Sequence, residues 1–404
     1  MTAATTTAPD ERVKSSTKIR VESIDLLRGL VMIIMALDHV RDYFHADAFL
    51  FNPLNMERTN VALFFTRWIT HFCAPVFVFL AGTSAYFVGK RRSTRELSAF
   101  LVKRGIWLIV LEFTVINVAW FFNFQFSFFA LTVIWALGVG MILLGLAVHL
   151  PYKIILGLGL VLVAGHNLLD NVHVDGTNAW AVGYAVLHDF KAFQFENILL
   201  FIGYPILPWT GVMFLGYGFG KLYTDYSAED RRKFLVRCGW IMIAAFVALR
   251  FVNLYGDPFK WEEQSTATFS VLSFINVTKY PPSLFYILLM LGPSFLLLAA
   301  AENWKGKVVG QITALGRVPM FYYITHLYVI HIVAVVAALA TGYQFSDMVF
   351  SVWVTDSPSL KGYGFNLAAV CLVWISTVVF LMPFCLWYDR YKTANKHKWW
   401  LSYL

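Results

Sequence analysis

The chain has 404 residues, of which 59% are hydrophobic and 14% charged, with a net charge of +8. A soluble domain is about 25% charged, so a mean hydropathy of +0.63 argues against a water-soluble fold and for a bilayer as the apolar solvent. The basic balance then belongs to loops held on the cytoplasmic face, and no nucleic-acid partner is expected.

A spanning helix uses roughly 20 apolar residues, and the hydropathy pattern predicts an all-α, polytopic transmembrane bundle of about ten spans, ten or eleven in all. In chain order they are read at 24–44, 63–88, 105–122, 128–150, 154–169, 198–220, 238–254, 283–300, 318–341 and 365–387. The sixth is interrupted by Pro205 and Pro208, and a loop rich in Asn, His and Asp precedes it. The stretch 308–315 is too short to span and reads as an interfacial turn. The four cysteines lie in or beside apolar runs without CxxC spacing, which suggests neither a disulfide framework nor a zinc site. The polar first twenty residues precede no short apolar core with a cleavage site, so no cleavable signal peptide is expected.

Charge orients the bundle. With the N-terminus inside, basic residues crowd the inside segments, among them Arg12, Lys14, Lys90, Arg91, Arg92, Arg95, Arg231, Arg232, Lys233, Arg390 and Lys392. Few, such as Arg58, Lys260 and Lys361, fall outside. That bias predicts an N-in, C-in topology. The organisation expected is a disordered cytoplasmic tail at 1–18, one transmembrane domain at 19–390 and a cytoplasmic C-terminal tail at 391–404.

The first span holds the residues that hydropathy does not explain. Ser23 and Asp25 suit a helix start, and Arg28 follows near the membrane boundary. His39 is eleven residues on, so the two side chains fall roughly 20° apart on one face and about 16 Å apart along the axis. Asp42, one turn beyond, is a candidate to orient the His39 imidazole, whereas Asp38 is read as pointing elsewhere. Ionisable groups inside a span are costly and normally line a cavity or path. His71 in the second span, Glu112 in the third, Trp209 in the sixth, and Tyr322 and His326 in the ninth add polar groups to a common interior. No ligand spacing supports a metal, and none is expected.

The segment from Ser23 to His39 resembles the first span of the heparan-α-glucosaminide N-acetyltransferase catalytic-domain family. Further resemblance lies in the segments 74–82, 204–211, 279–283 and 315–322, so that it extends over roughly residues 19 to 390. The spacing of Arg28 and His39 is also similar to the first-span signature of wider transmembrane acyltransferases. The resemblance implies transfer of an acyl, and most simply acetyl, group from cytoplasmic acyl-CoA to an extracytoplasmic sugar or other hydroxyl or amine acceptor. Acetyl-CoA is then a co-substrate and no cofactor stays bound. His39, Asp42 and His71 are the catalytic candidates. Arg28, Lys90, Arg91 and Arg92 are candidates for the CoA phosphates and pantetheine. His45, Trp209, Lys279, Tyr322 and His326 are candidates for acceptor contacts. The human-type branch carries an amide where this chain has His39 and a histidine on the following segment, a place for which His45 and His71 both remain open. The partners implied are membrane lipid, acyl-CoA and a glycan or small-molecule acceptor, with a homodimer left open, and the location implied is a bacterial inner or plasma membrane. The alternative reading is a secondary transporter or permease with a polar intramembrane pathway.

Overall fold

The computed structural model describes residues 21–402, so the segment 1–18 read as a tail lies outside the described residues. The helices are α1 (Glu22–Phe44), α2 (Val61–Trp68), α3 (Cys73–Gly89), α4 (Thr94–Leu111), α5 (Asn117–Phe121), α6 (Val133–Ala147), α7 (Tyr152–Gly165), α8 (Ala179–Leu187), α9 (Ile206–Phe219), α10 (Leu222–Asp225), α11 (Ala228–Val252), α12 (Ala267–Ile275), α13 (Leu284–Ala301), α14 (Lys307–Arg317), α15 (Pro319–Ala340) and α16 (Leu367–Ala394). The strands are β1 (Phe128–Leu131), β2 (Lys191–Phe195) and β3 (Ile198–Ile202).

Among the described residues, six helical segments are long and apolar enough to cross a membrane: Val61–Gly89, Tyr152–Leu169, Ala228–Val252, Leu284–Ala301, Pro319–Ala340 and Leu367–Ala394. The apolar helix Val133–Ala147 is shorter. Helix α1 has the length, 23 residues, but Asp25, Arg28, Asp38, Arg41 and Asp42 break its apolar run. Those charges explain its place. Most of α1 is buried, packed against α14, α15, α16, α3 and α13, because a helix bearing ionisable groups is kept away from hydrocarbon by its neighbours. The outer surface is apolar instead: Leu372, Ile375, Val379 and Phe380 on α16, and Trp240, Ile241 and Phe251 on α11, are exposed.

Three local readings are corrected. The segment 198–202 is strand β3 and not the opening of a helix, and 128–131 is strand β1. β1 pairs parallel with β3, and β2 pairs antiparallel with it, in the order β1-β3-β2. Apolar runs of four or five residues do not distinguish strand from buried helix. Here Gly203 and Pro205 end the run, and Pro205 caps α9, which starts at Ile206. The small sheet qualifies the all-α reading. The polar loop before it contains α8 and β2, and 308–315 belongs to the eleven-residue helix α14.

Helix α14 is pressed onto α1 at two glycines. A Cβ on Gly316 would lie 1.8 Å from the Asp25 carbonyl oxygen, and one on Gly29 would lie 2.0 Å from the Ile312 carbonyl oxygen. Only a residue without a side chain permits that approach. Overpacking a tight contact costs about 1–3 kcal/mol, and here the opposing atoms are backbone. Gly316→Leu is therefore expected to lower the thermal midpoint of the detergent-solubilised protein clearly. Gly310→Ala on the same helix, where an added Cβ meets nothing within 4 Å, should leave it unchanged.

Candidate functional site

Two cavities open into the bundle, and α1 contributes to both. The first, of about 1030 Å³, is lined by Arg28, Arg91, Arg92, Lys103, Arg104, Arg317, Lys392, Lys396 and Lys398, nine cations, against the three carboxylates Asp25, Glu96 and Asp389. The second, of about 1320 Å³, is lined by Asp38, His39, Arg41, Asp42, Arg67, His71 and Lys279, with Trp120, Tyr204 and Tyr280 among its aromatic walls. We refer to them as the basic cavity and the histidine cavity. Val133 and Tyr323 line both, so the partition between them is as thin as two side chains.

Arg28 stands in the basic cavity with its guanidinium oriented from three directions. It donates to Asp25 Oδ1 at 2.9 Å, to the Gly316 carbonyl at 3.1 Å and to Ser84 Oγ at 3.1 Å. The close approach of α14 thus also delivers the carbonyl that holds Arg28. Arg91 and Arg92 line the same cavity. Lys90 does not. Its ammonium lies 3.9 Å from Asp225 and over the Tyr86 ring.

His39 lines the histidine cavity, and its Nδ1 lies 2.7 Å from Nε2 of His326, which is fully buried behind it and lines neither cavity. His326 Nδ1 lies 2.9 Å from the Tyr322 carbonyl oxygen, which can only accept, so Nδ1 of His326 carries a proton. In a neutral His326 the lone pair is then on Nε2, and His39 Nδ1–H must donate to it. The remaining lone pair of the pair sits on His39 Nε2. This relay is the arrangement that turns an imidazole into a directed base, with His326 in the orienting role that the sequence suggested for Asp42. Asp42 lines the cavity but accepts from Arg41 at 2.6 Å. Trp120 packs edge-on against His39, ring centroids 4.7 Å apart.

Asp38, which the helical-wheel reading turned away from the site, is its electrostatic hub. Its carboxylate accepts from Arg41 at 2.6 Å, from Arg67 at 2.7 and 2.8 Å and from Thr70 at 2.9 Å, and Lys279 Nζ lies 3.9 Å away. The cavity is wide enough to see two adjacent positions of α1. Three cations face two carboxylates in this cluster, leaving a surplus positive charge. Arg67 was not singled out from sequence, although a cation inside an apolar run was the available signal. Tyr323 reads from sequence only as one of several polar residues of the ninth span, beside the candidates Tyr322 and His326.

The other expected residues divide. His71 lines the histidine cavity, is 1% exposed, and neither ring nitrogen has a hydrogen-bond partner among the described residues. Lys279 also lines it. His45 lines neither cavity; its Nδ1 accepts from the Asp47 amide at 3.2 Å and caps the short 3-10 turn that follows α1. Trp209 is fully buried and stacks on Tyr204 with ring centroids 5.3 Å apart, and Tyr322 stacks on His326 at 5.1 Å. Both stand behind the cavity wall. Glu112, on a π turn that continues α4, accepts from the Thr132 amide at 2.9 Å and from its hydroxyl at 2.5 Å, fixing the residue next to Val133 in the partition.

A helical chain with long apolar segments and charged, histidine-bearing cavities inside it is an integral membrane protein with a polar interior site. The family model for heparan-alpha-glucosaminide N-acetyltransferase, catalytic, matches residues 20–250. The chain belongs to that family, and its activity class is that of a membrane acetyltransferase. A comparison with curated proteins finds no match. Arg28, His39, Asp42, His71 and Trp209 fall within the matched residues; Lys279, Tyr322, Tyr323 and His326 lie beyond them.

Proposed function

We propose that this protein transfers an acetyl group from acetyl-CoA in the basic cavity to a sugar or other hydroxyl or amine acceptor in the histidine cavity, with His39 as the general base. The observation that carries the reading is the two-residue partition: Arg28 lines one cavity, His39 the other, and Val133 and Tyr323 line both. The long pantetheine arm of CoA suits a route past that partition, with its phosphates left among the cations.

The proton inventory balances without further reagents. His39 Nε2 takes the proton of the acceptor hydroxyl or amine as its oxygen or nitrogen attacks the thioester carbon. The tetrahedral oxyanion forms in a field of surplus positive charge from Lys279, Arg67 and Arg41, which favours it. Collapse breaks the carbon–sulfur bond, and the proton held at His39 passes to the CoA thiolate. Residues 19–390 act as one transmembrane unit in this reading, with ten spans and both ends in the cytoplasm. The cations at Arg91, Arg92, Lys103, Arg104, Lys396 and Lys398 support a cytoplasmic donor cavity by the positive-inside rule, and in this reading the acceptor is extracytoplasmic.

The test is transfer of radiolabel from acetyl-CoA to acceptor by membranes containing wild-type or His39→Ala protein; undiminished transfer by the variant removes His39 from the chemistry. Arg28 acts on the donor. Arg28→Ala should raise KM for acetyl-CoA about tenfold or more, a loss of one or two charge-assisted hydrogen bonds, while leaving KM for the acceptor unchanged. Equal changes in both constants would place Arg28 outside donor binding.

A further inference from the structure

Away from both cavities, His166, Asp170 and His188 are spaced so that no local motif marks them. The 3-10 turn His166–Leu169 at the end of α7 and the residue that ends α8 bring them together. His166 Nδ1 and His188 Nε2 are 3.1 Å apart, and His188 Nε2 is 3.7 Å from Asp170 Oδ1. One donor atom from each residue lies within 4.8 Å of the others. The two imidazoles are 2% and 3% exposed, and His166 Nε2 has no hydrogen-bond partner among the described residues.

A hydrogen bond between the two imidazoles accounts for one proton and for one contact. It does not by itself account for a carboxylate oxygen, Asp170 Oδ1, that faces the same point 3.7 Å from His188 Nε2. A tetrahedral ion does. Metal–nitrogen bonds of about 2.0–2.1 Å at the tetrahedral angle put ligand atoms roughly 3.3–3.4 Å apart, between the two separations seen here. The other oxygen, Asp170 Oδ2, accepts from Asn167 Nδ2 at 2.7 Å, and Asn167 Oδ1 accepts from the Leu284 amide at 2.9 Å. The carboxylate is therefore already oriented by an outer hydrogen bond, as ligating carboxylates usually are. Two imidazoles exclude calcium and magnesium as the natural occupant and favour zinc or a similar borderline divalent ion.

We propose that His166, Asp170 and His188 bind one zinc-class divalent cation, with water in the fourth position. The ion ties the end of α7 to the end of α8 and, through Asn167, to the start of α13. Its position bears on the site already described: Phe190, two residues past His188, stacks on Tyr280 with ring centroids 5.3 Å apart, and both line the histidine cavity. The ion thus fixes a rim of that cavity, and this role does not depend on the reaction assigned to it.

The experiment uses the full chain, purified in detergent without a histidine tag, stripped with EDTA and re-exposed to Zn²⁺ alone. Elemental analysis after gel filtration should find about one zinc per chain, with a higher thermal midpoint than the stripped protein. Asp170→Asn and His188→Gln should bring zinc to background and abolish that rise. Wild-type protein that retains no zinc, or a monodisperse variant that retains as much as wild type, overturns the proposal. Should neither variant fold, Co²⁺ added to stripped wild type decides. Intense tetrahedral visible bands support the site, and their absence overturns it.

Discussion

His39→Ala should lower kcat for acetyl transfer by about 10²–10⁴-fold, the range a positioned general base contributes, while KM for acetyl-CoA changes little. The asymmetry follows from the geometry: His39 lines the histidine cavity, and the cations expected to hold the nucleotide line the other. His326→Ala should lower kcat in the same direction but less, because it leaves the base in place and removes the acceptor that fixes its tautomer, the His326 nitrogen 2.7 Å away. His326→Gln, whose amide oxygen can accept the same hydrogen bond, should recover part of the loss. Steady-state kinetics of the three variants with a common acceptor would check the order, and a His326→Ala protein as active as wild type would remove the relay. Asp42→Asn should have a much smaller effect on kcat than either histidine, since Asp42 is engaged by Arg41.

The largest loss of stability is expected from Asp38→Ala. Removing one partner of a buried ion pair costs about 3–5 kcal/mol, because the remaining charge is left uncompensated. Here Arg67 loses both of its carboxylate contacts and Lys279 its nearest anion, whereas Arg41 keeps Asp42. Arg41 is 1% exposed, so its guanidinium depends on these carboxylates for its charge partners. The thermal midpoint in detergent should fall steeply, and the double variant Asp38→Ala/Arg67→Leu should fall less than the sum of the singles, since the second change removes the stranded charge. Additive losses would mean that Arg67 and Asp38 do not depend on one another.

Much of this site could be read from the chain because α1 concentrates it. Charges within an apolar run have one tolerable place, the bundle interior, and eleven residues put Arg28 and His39 on related faces by helix geometry alone. What the sequence did not disclose is set by distance along the chain or by weak local signals. The partner of His39 is 287 positions away, so a nearer carboxylate, Asp42, stood in for it. Asp38 was set aside by a wheel that allows only one face, whereas a wide cavity reaches two. The strands at 128–131 and 198–202 are short apolar runs whose pairing with each other depends on the chain returning 70 residues later. The cluster at His166, Asp170 and His188 lacks ligand spacing because a turn and a helix end, and not a motif, bring its members together.

The division of labour between the two cavities is open to direct observation by determining the structure with a non-transferable thioether analogue of acetyl-CoA bound. The nucleotide should lie among Arg91, Arg92 and Lys103, and the sulfur should pass Tyr323 to stand within about 4 Å of His39 Nε2, near-attack range for the acyl carbon beside it. An analogue seated with its sulfur far from His39, or with its phosphates in the histidine cavity, would contradict the mechanism.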